Sequence, residues 1–143
     1  MITGTDVNVH DVVTLASLVE KESKLENERP IVAAVFDNRL RIGMKLDCDP
    51  TTIYAALLAG AYRGTIYESD LERDSLYNTY HQAGLPPGPI ANPGLSAIHA
   101  ALRPGNTKAI YFVLRPDGSG AHQFSETKAA HEAAVQKYRN GRK

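Results

Sequence analysis

Six residues near the middle of the chain, Gly84-Leu85-Pro86-Pro87-Gly88-Pro89, contain three prolines and two glycines. No helix or strand tolerates that density, because each proline fixes φ and removes a backbone donor. The segment predicts a rigid, extended loop, and the regular elements must be arranged on either side of it.

Ahead of the loop the apolar residues repeat at helical spacing. Val12, Leu15, Ala16, Leu18 and Val19 predict a first helix from Asp11 to about Glu22, with no Gly or Pro inside it. Pro30 suits the first position of a second helix through Ile31, Val32, Val35 and Phe36 to Leu40, with Gly43 just past its end. Asp49-Pro50 reads as an N-cap followed by proline, opening a third helix to Gly60. Ser69 with Glu72 has the spacing of a capping box and predicts a short fourth helix. After the loop, Asn92-Pro93 predicts the cap of a helix through Leu95, Ile98 and Leu102 that stops at Pro104. Then the period changes. Ile110, Phe112 and Leu114 alternate with Tyr111, Val113 and Arg115, and Pro116 to Gly120 supplies turn chemistry before Ala121 to Phe124, which predicts a β-hairpin. A last amphipathic helix is expected over about Glu126 to Arg139, and Met44 to Asp47 is expected to add a third short strand. The expected fold is α+β, a mostly helical single domain over residues 1–143 with a small antiparallel sheet that includes the C-terminal hairpin.

Charge and cysteine content narrow the functions. Sixteen Lys plus Arg balance sixteen Asp plus Glu, so the chain has no global field for a polyanion and nucleic acid is not an expected partner. One cysteine, Cys48, forms no internal disulfide and leaves the redox compartment undecided. Five scattered histidines and a cysteine with no Cys or His within four residues give no metal-ligand spacing. No lysine stands in a recognisable cofactor context, so neither a metal nor pyridoxal phosphate is expected. Met1 to Asp11 lacks the basic start and apolar stretch of a signal peptide, and no run is long enough to span a bilayer. Met1-Ile2-Thr3-Gly4-Thr5 reads as an arbitrary start, as of a piece cut from a longer chain.

Glu22 is the most informative polar residue. It stands seven residues after Leu15, four after Leu18 and three after Val19, and so continues the apolar face of its helix. A carboxyl held there is desolvated, its pKa rises, and it can remain protonated near neutrality as a general acid must. Two readings stay open from the residues alone: an acid catalyst, or a glutamate that ends its helix and pairs with Lys or Arg. Asn78, flanked by Tyr77 and Tyr80 and followed by the Pro/Gly loop, has the composition of a carbohydrate cleft; tyrosines three apart equally fit half-buried packing. Asp47 and Asp49 are candidate second carboxylates, with Asp49 favoured instead as a helix cap.

Taken together, Leu15-Ala16-Ser17-Leu18-Val19-Glu20-Lys21-Glu22, Val35-Phe36-Asp37-Asn38-Arg39-Leu40, Asp49-Pro50-Thr51, Tyr77-Asn78-Thr79-Tyr80 and Gly84-Leu85-Pro86-Pro87-Gly88-Pro89-Ile90 closely resemble, in the same order, the MltG (YceG-like) endolytic transglycosylases. The resemblance continues through Tyr111-Phe112-Val113 and His122-Gln123-Phe124, covering about Val12 to Tyr138.

The resemblance implies that Glu22 is the catalytic acid/base. It implies cleavage of the bond between N-acetylmuramic acid and N-acetylglucosamine in nascent peptidoglycan, giving 1,6-anhydromuramic ends and ending glycan elongation, with one carboxylate and no cofactor. Asn78, Thr79, Tyr80 and the carbonyls of Pro86, Pro87 and Gly88 are then expected to ease the oxocarbenium-like charge. Asn38, Arg39 and His122 are expected at the site in supporting or substrate-binding roles. The implied whole protein carries an N-terminal transmembrane helix in the bacterial inner membrane and a LysM-like subdomain ahead of this part, with the catalytic domain periplasmic and wall-synthesis enzymes as partners. Two rivals stand beside this: a non-catalytic peptidoglycan-binding module, and a muramidase using Asp47 or Asp49 as second carboxylate.

Overall fold

The structure is a computed structural model and describes residues 8–141. Met1 to Val7, including the start that reads as arbitrary, lies outside the described residues, as do Arg142 and Lys143.

Helix α1, Val9–Glu22, begins two residues before the apolar pattern predicts, because Asn8 caps it and accepts from the Asp11 N–H. Its buried face, Val12, Leu15, Ala16, Leu18 and Val19, is the centre of the core. A short 3-10 turn, Glu26–Glu28, leads into α2, Arg29–Arg41, with proline in its first turn and Gly43 at φ 71° past its end, where a residue with a side chain is strained. Helix α5, Leu95–Leu102, lies against both α1 and α2. Its contacting residues are Ala97, Ala100 and Ala101, small enough to bring three helix backbones close together. Burial of a leucine such as Leu15 or Leu18 in this seam contributes about 1.5–3 kcal/mol.

Strands β1, Tyr111–Leu114, and β2, His122–Ser125, form an antiparallel pair with Phe112 opposite Phe124 and Leu114 opposite His122. Helix α6, Lys128–Gly141, packs on both strands. On the core side, Phe112 meets Phe36 edge-on, centroids 5.8 Å apart, and so anchors the hairpin to α2. The molecule is therefore α+β and mostly helical, as expected. Among the described residues no helix is long and apolar enough to cross a membrane.

Four local expectations are corrected. Residues 44–47 form no strand, and the sheet has two strands among the described residues. The reason is visible: Asp47 sits at φ 48°, which breaks an extended run, and the Lys45 and Leu46 carbonyls accept from the Arg39 guanidinium instead of a neighbouring strand. Helix α3, Asp49–Leu58, is capped by Cys48, so Asp49 is its first residue and not its cap. Helix α4, Glu68–Leu71, starts after Tyr67, whose N–H donates to Asp70; Ser69 and Glu72 do not form the box. Gly94, rather than Asn92, precedes α5.

Candidate active site

Glu22 is the last residue of α1, and the hairpin, the start of α3 and the segment after α4 meet around it. Two cavities share Glu22, Asp49 and Phe112 in their walls. One, of about 650 Å³, runs under the hairpin turn past Lys24, Arg115, His122 and Tyr138. The other, of about 250 Å³, is lined by Arg39, Asp47, Tyr80, Tyr111 and His131.

Glu22 itself is half-buried. Burial is the main reason its carboxyl is pushed up to about 7, the negative charge of Asp49 pushes the same way, and a hydrogen bond from the Cys48 thiol opposes both. The Cys48 Sγ lies 3.5 Å from Glu22 Oε1. Burial next to a carboxyl also pushes that thiol well above its ordinary range, so it stays protonated and donates. The other glutamate of the motif is differently placed: Glu20 accepts from the Gly94 N–H at 2.8 Å and pairs with Arg29 at 3.5 Å, tying α1 to the start of α5 and to α2.

Cys48 and Asp49 owe their positions to a threonine pair. Thr79 Oγ1 accepts from the Cys48 N–H at 2.9 Å and lies 2.8 Å from Thr51 Oγ1, which in turn donates to the Cys48 carbonyl at 2.6 Å. Tyr80 next along the chain donates its hydroxyl to Asp49 Oδ1 at 2.6 Å. Burial, then the proximity of Asp49, pushes the Tyr80 phenol far above its ordinary value, so it remains a donor.

Of the residues expected to touch substrate, Tyr80 lines the smaller cavity and two of its neighbours do not. Asn78 has no exposed surface; its amide donates to the carbonyls of Asp70, Leu71 and Arg73, and its oxygen accepts from Thr52 Oγ1 and the Tyr80 N–H. Thr79, 1% exposed, is committed to Cys48 and Thr51. Both are scaffold on which Tyr80 and Asp49 are mounted. Pro86, Pro87 and Gly88 line neither Glu22 cavity. The loop packs instead along the earlier turns of α1: His10 Nε2 donates to the Pro87 carbonyl at 2.6 Å, and the Ile90 N–H donates to Ser17 Oγ at 3.1 Å. His10 is about 18 Å along the helix from Glu22 at the α-helical rise.

Asn38, also expected at the site, is buried, and its amide bridges the carbonyls of Thr107 and Ala109 while Arg41 donates to its oxygen. It fastens the chain entering β1 to α2. Arg39 does line the smaller cavity. Its guanidinium donates to the carbonyls of Ile110, Lys45 and Leu46, pairs with Asp47 at 3.7 Å, and lies 5.4 Å from the Tyr111 ring centroid. His122 lines the larger cavity with 5% of its surface exposed. Its Nδ1 is 2.9 Å from Glu28 Oε1, and its N–H donates to the same carboxylate, which fixes the imidazole edge-on to Phe112.

Reading the sequence misses the contributions of Cys48, Tyr111 and His131. Tyr111 and His131 stack with centroids 4.8 Å apart, pinning α6 over β1 at the cavity wall. No short motif carries that pairing. Asp49 was legible as a carboxylate, but its identity as the first residue of α3, facing Glu22, depended on placing the cap one residue earlier. Among the described residues no three His, Cys, Asp or Glu side chains converge as metal ligands do.

This geometry has relatives. The YceG-like family profile matches residues 3–137. An endolytic murein transglycosylase of Bacillus subtilis (strain 168) is 44% identical over 132 residues, covering 92% of this chain and 35% of its own length. One of Streptococcus pneumoniae serotype 2 (strain D39) is 31% identical over 143 residues, covering 99% of this chain and 26% of its own. The crystal structure of a YceG-like protein from Listeria monocytogenes superposes with a TM-score of 0.79 at 42% identity, covering 87% of this chain and 39% of that one. The chain thus spans about a quarter to a third of the length of the curated relatives it matches. With the family profile running over nearly all its residues, this chain belongs to the YceG-like family.

Proposed function

We propose that this domain is the catalytic part of an endolytic murein transglycosylase, with Glu22 as its single acid/base. The observation that carries the reading is the carboxyl of Glu22, raised to about 7 by burial and by Asp49, on the wall of a cavity of about 650 Å³. Relatives at 44% and 31% identity bear that name. In the first step protonated Glu22 gives its proton to the glycosidic oxygen, and the bond to C1 of the muramic residue breaks. In the second, the resulting carboxylate takes the proton of that residue's C6 hydroxyl as the oxygen attacks C1, which closes the 1,6-anhydro ring and restores the acid. Water enters neither step.

Asp49 is better placed than the Asn78-Thr79 pair to ease the positive charge at C1. It is a carboxylate in both cavities, held in place by Tyr80. Arg39 fixes the chain around Asp47, and His122 holds the floor of the larger cavity. The native protein, on this reading, presents the domain outside the bacterial inner membrane on an N-terminal anchor, acts on nascent strands alongside wall-synthesis enzymes, and so limits glycan length.

Asp49 also favours a second reading, hydrolysis of the same bond, in which this carboxylate activates a water. Product ends separate the two. Un-crosslinked nascent glycan treated with the full-length protein is expected to yield anhydromuramic ends by mass spectrometry, and none with Glu22→Gln. Reducing muramic ends show the hydrolase instead, and binding of glycan with no cleavage shows a non-catalytic module.

A further inference from the structure

The two cavities that share Glu22 differ in the charges they do not share. The larger adds Lys24, from the segment after α1, and Arg115, from the end of β1. Lys24 forms no ion pair among the described residues, and Arg115 holds its Nε against the His122 carbonyl at 3.3 Å, which orients the guanidinium along the hairpin. Asp117 lies in the same turn and feels the charge of Arg115, but its carboxylate is held by the Ser119 N–H and hydroxyl and is not part of the cavity wall. The smaller cavity adds one cation and one anion, Arg39 and Asp47, already paired with each other, together with the rings of Tyr80, Tyr111 and His131. Beyond the carboxylates of Glu22 and Asp49 that both share, the roomy cavity adds two cations, whereas the tight one adds only an ion pair together with the rings of Tyr80, Tyr111 and His131.

The two sugars joined by the bond in question differ in the same way. N-acetylglucosamine is neutral and compact. The muramic residue carries a lactyl ether at C3 and, in a nascent strand, a peptide stem with free carboxylates. We infer that the larger cavity is the subsite for the muramic residue, with Lys24 and Arg115 receiving the free carboxylates of its peptide stem rather than the lactyl carboxyl, which is an amide in a peptide-bearing strand, and that the smaller cavity holds the departing N-acetylglucosamine. A volume of about 650 Å³ accommodates a ring and the root of its arm, whereas about 250 Å³ accommodates one ring with little beyond it. A tight cavity whose walls include the Tyr80 ring suits a compact, neutral, unbranched pyranose. Cations on an exposed rim suit a mobile acidic arm. The assignment rests on the transglycosylase reading above and adds to it a direction for the strand and a preference for peptide-bearing over naked glycan.

The test separates the two claims. Binding of un-crosslinked glycan, peptide-bearing or stripped of its peptides by an amidase, is measured on the full-length protein carrying Glu22→Gln, with and without Lys24→Glu and Arg115→Glu. Both basic residues are exposed, so the substitutions leave the core intact. The expected result is that the ratio of affinities, peptide-bearing over naked, falls about tenfold in the charge-reversed protein, as for the loss of a pair of carboxylate contacts. An unchanged ratio overturns the assignment, whether both affinities fall together or neither moves. Cleavage by the unsubstituted protein is scored in parallel: its absence counts against the transglycosylase reading, while the binding ratio still decides which cavity takes the acidic arm.

Discussion

Tyr80 donates its hydroxyl to Asp49 across 2.6 Å, which ties the segment after α4 to the first residue of α3 beside Glu22. Asp49 is negative and close enough to Glu22 to oppose its ionisation. Replacing it with Asn removes that charge and lets Glu22 ionise at lower pH, so the fraction of protonated acid at neutrality drops. The expected outcome for Asp49→Asn is a basic limb of the pH–rate profile displaced downwards, with a severalfold loss of rate at neutral pH. A kcat/KM profile across the neutral range checks it.

Cys48→Ala acts in the opposite direction. The thiol stabilises the ionised carboxylate by donating to it, so its removal raises the pKa of Glu22 further and moves the basic limb upwards. The lost contact and small void cost about 1 kcal/mol of stability, readable by urea denaturation. Cys48→Ser, which keeps a donor, is expected to return most of the profile.

Glu22 should also mark the stability curve. Its folded pKa, about 7, lies above its ordinary 4.5, so the folded state holds an extra proton between those values. Stability therefore falls as pH rises from 4.5 through 7. Glu22→Gln, neutral at every pH, is expected to match the parent below pH 4.5 and to exceed it by up to about 3 kcal/mol above pH 7. Denaturation at pH 4 and pH 8 makes the comparison.

Asn78→Ala should cost stability first. It strips the Asp70, Leu71 and Arg73 carbonyls of a buried donor and leaves Thr52 and the Tyr80 N–H without their acceptor. A loss of about 3 kcal/mol follows from so many partners, with Tyr80 and Asp49 loosened as a consequence. A denaturation midpoint well below the parent's, at an unchanged denaturant slope, is the expected reading.

Much of the fold was legible because burial leaves a period. The α1 face through Val12, Leu15 and Val19 follows from one geometric rule, whereas the hairpin was marked by its turn residues, since burial along β1 does not alternate and Leu114 is exposed. Caps were misplaced by a residue or two because Cys48 and Tyr67 precede, and Gly94 follows, residues of stronger capping preference, and a helix beginning at Asp49 looks in sequence like one capped by it. The strand expected at residues 44–47 failed for a tertiary reason: Arg39, five to eight residues earlier, takes the carbonyls that a strand would need. The site followed the same division. Glu22 was readable from helical spacing, since desolvation of a residue on an apolar face is a local consequence. Asn78, Thr79 and Asn38 were not, because a side-chain amide or hydroxyl has the same spelling whether it meets a sugar or the backbone carbonyls and hydroxyls of its own fold. Pro86, Pro87 and Gly88 form the rigid loop expected of them, but its destination, the earlier turns of α1, is set by His10 and Ser17 more than seventy residues away.

The proposed catalysis requires a carboxylic acid that stays protonated to neutrality at the end of α1. The most direct measurement is an NMR titration of the Glu22 side-chain carboxyl carbon, assigned by its disappearance in Glu22→Gln. A midpoint near 7 is predicted, displaced downwards in Asp49→Asn. A midpoint near 4.5, the ordinary glutamate value, contradicts the account, because Glu22 would then be ionised at neutral pH and have no proton to give.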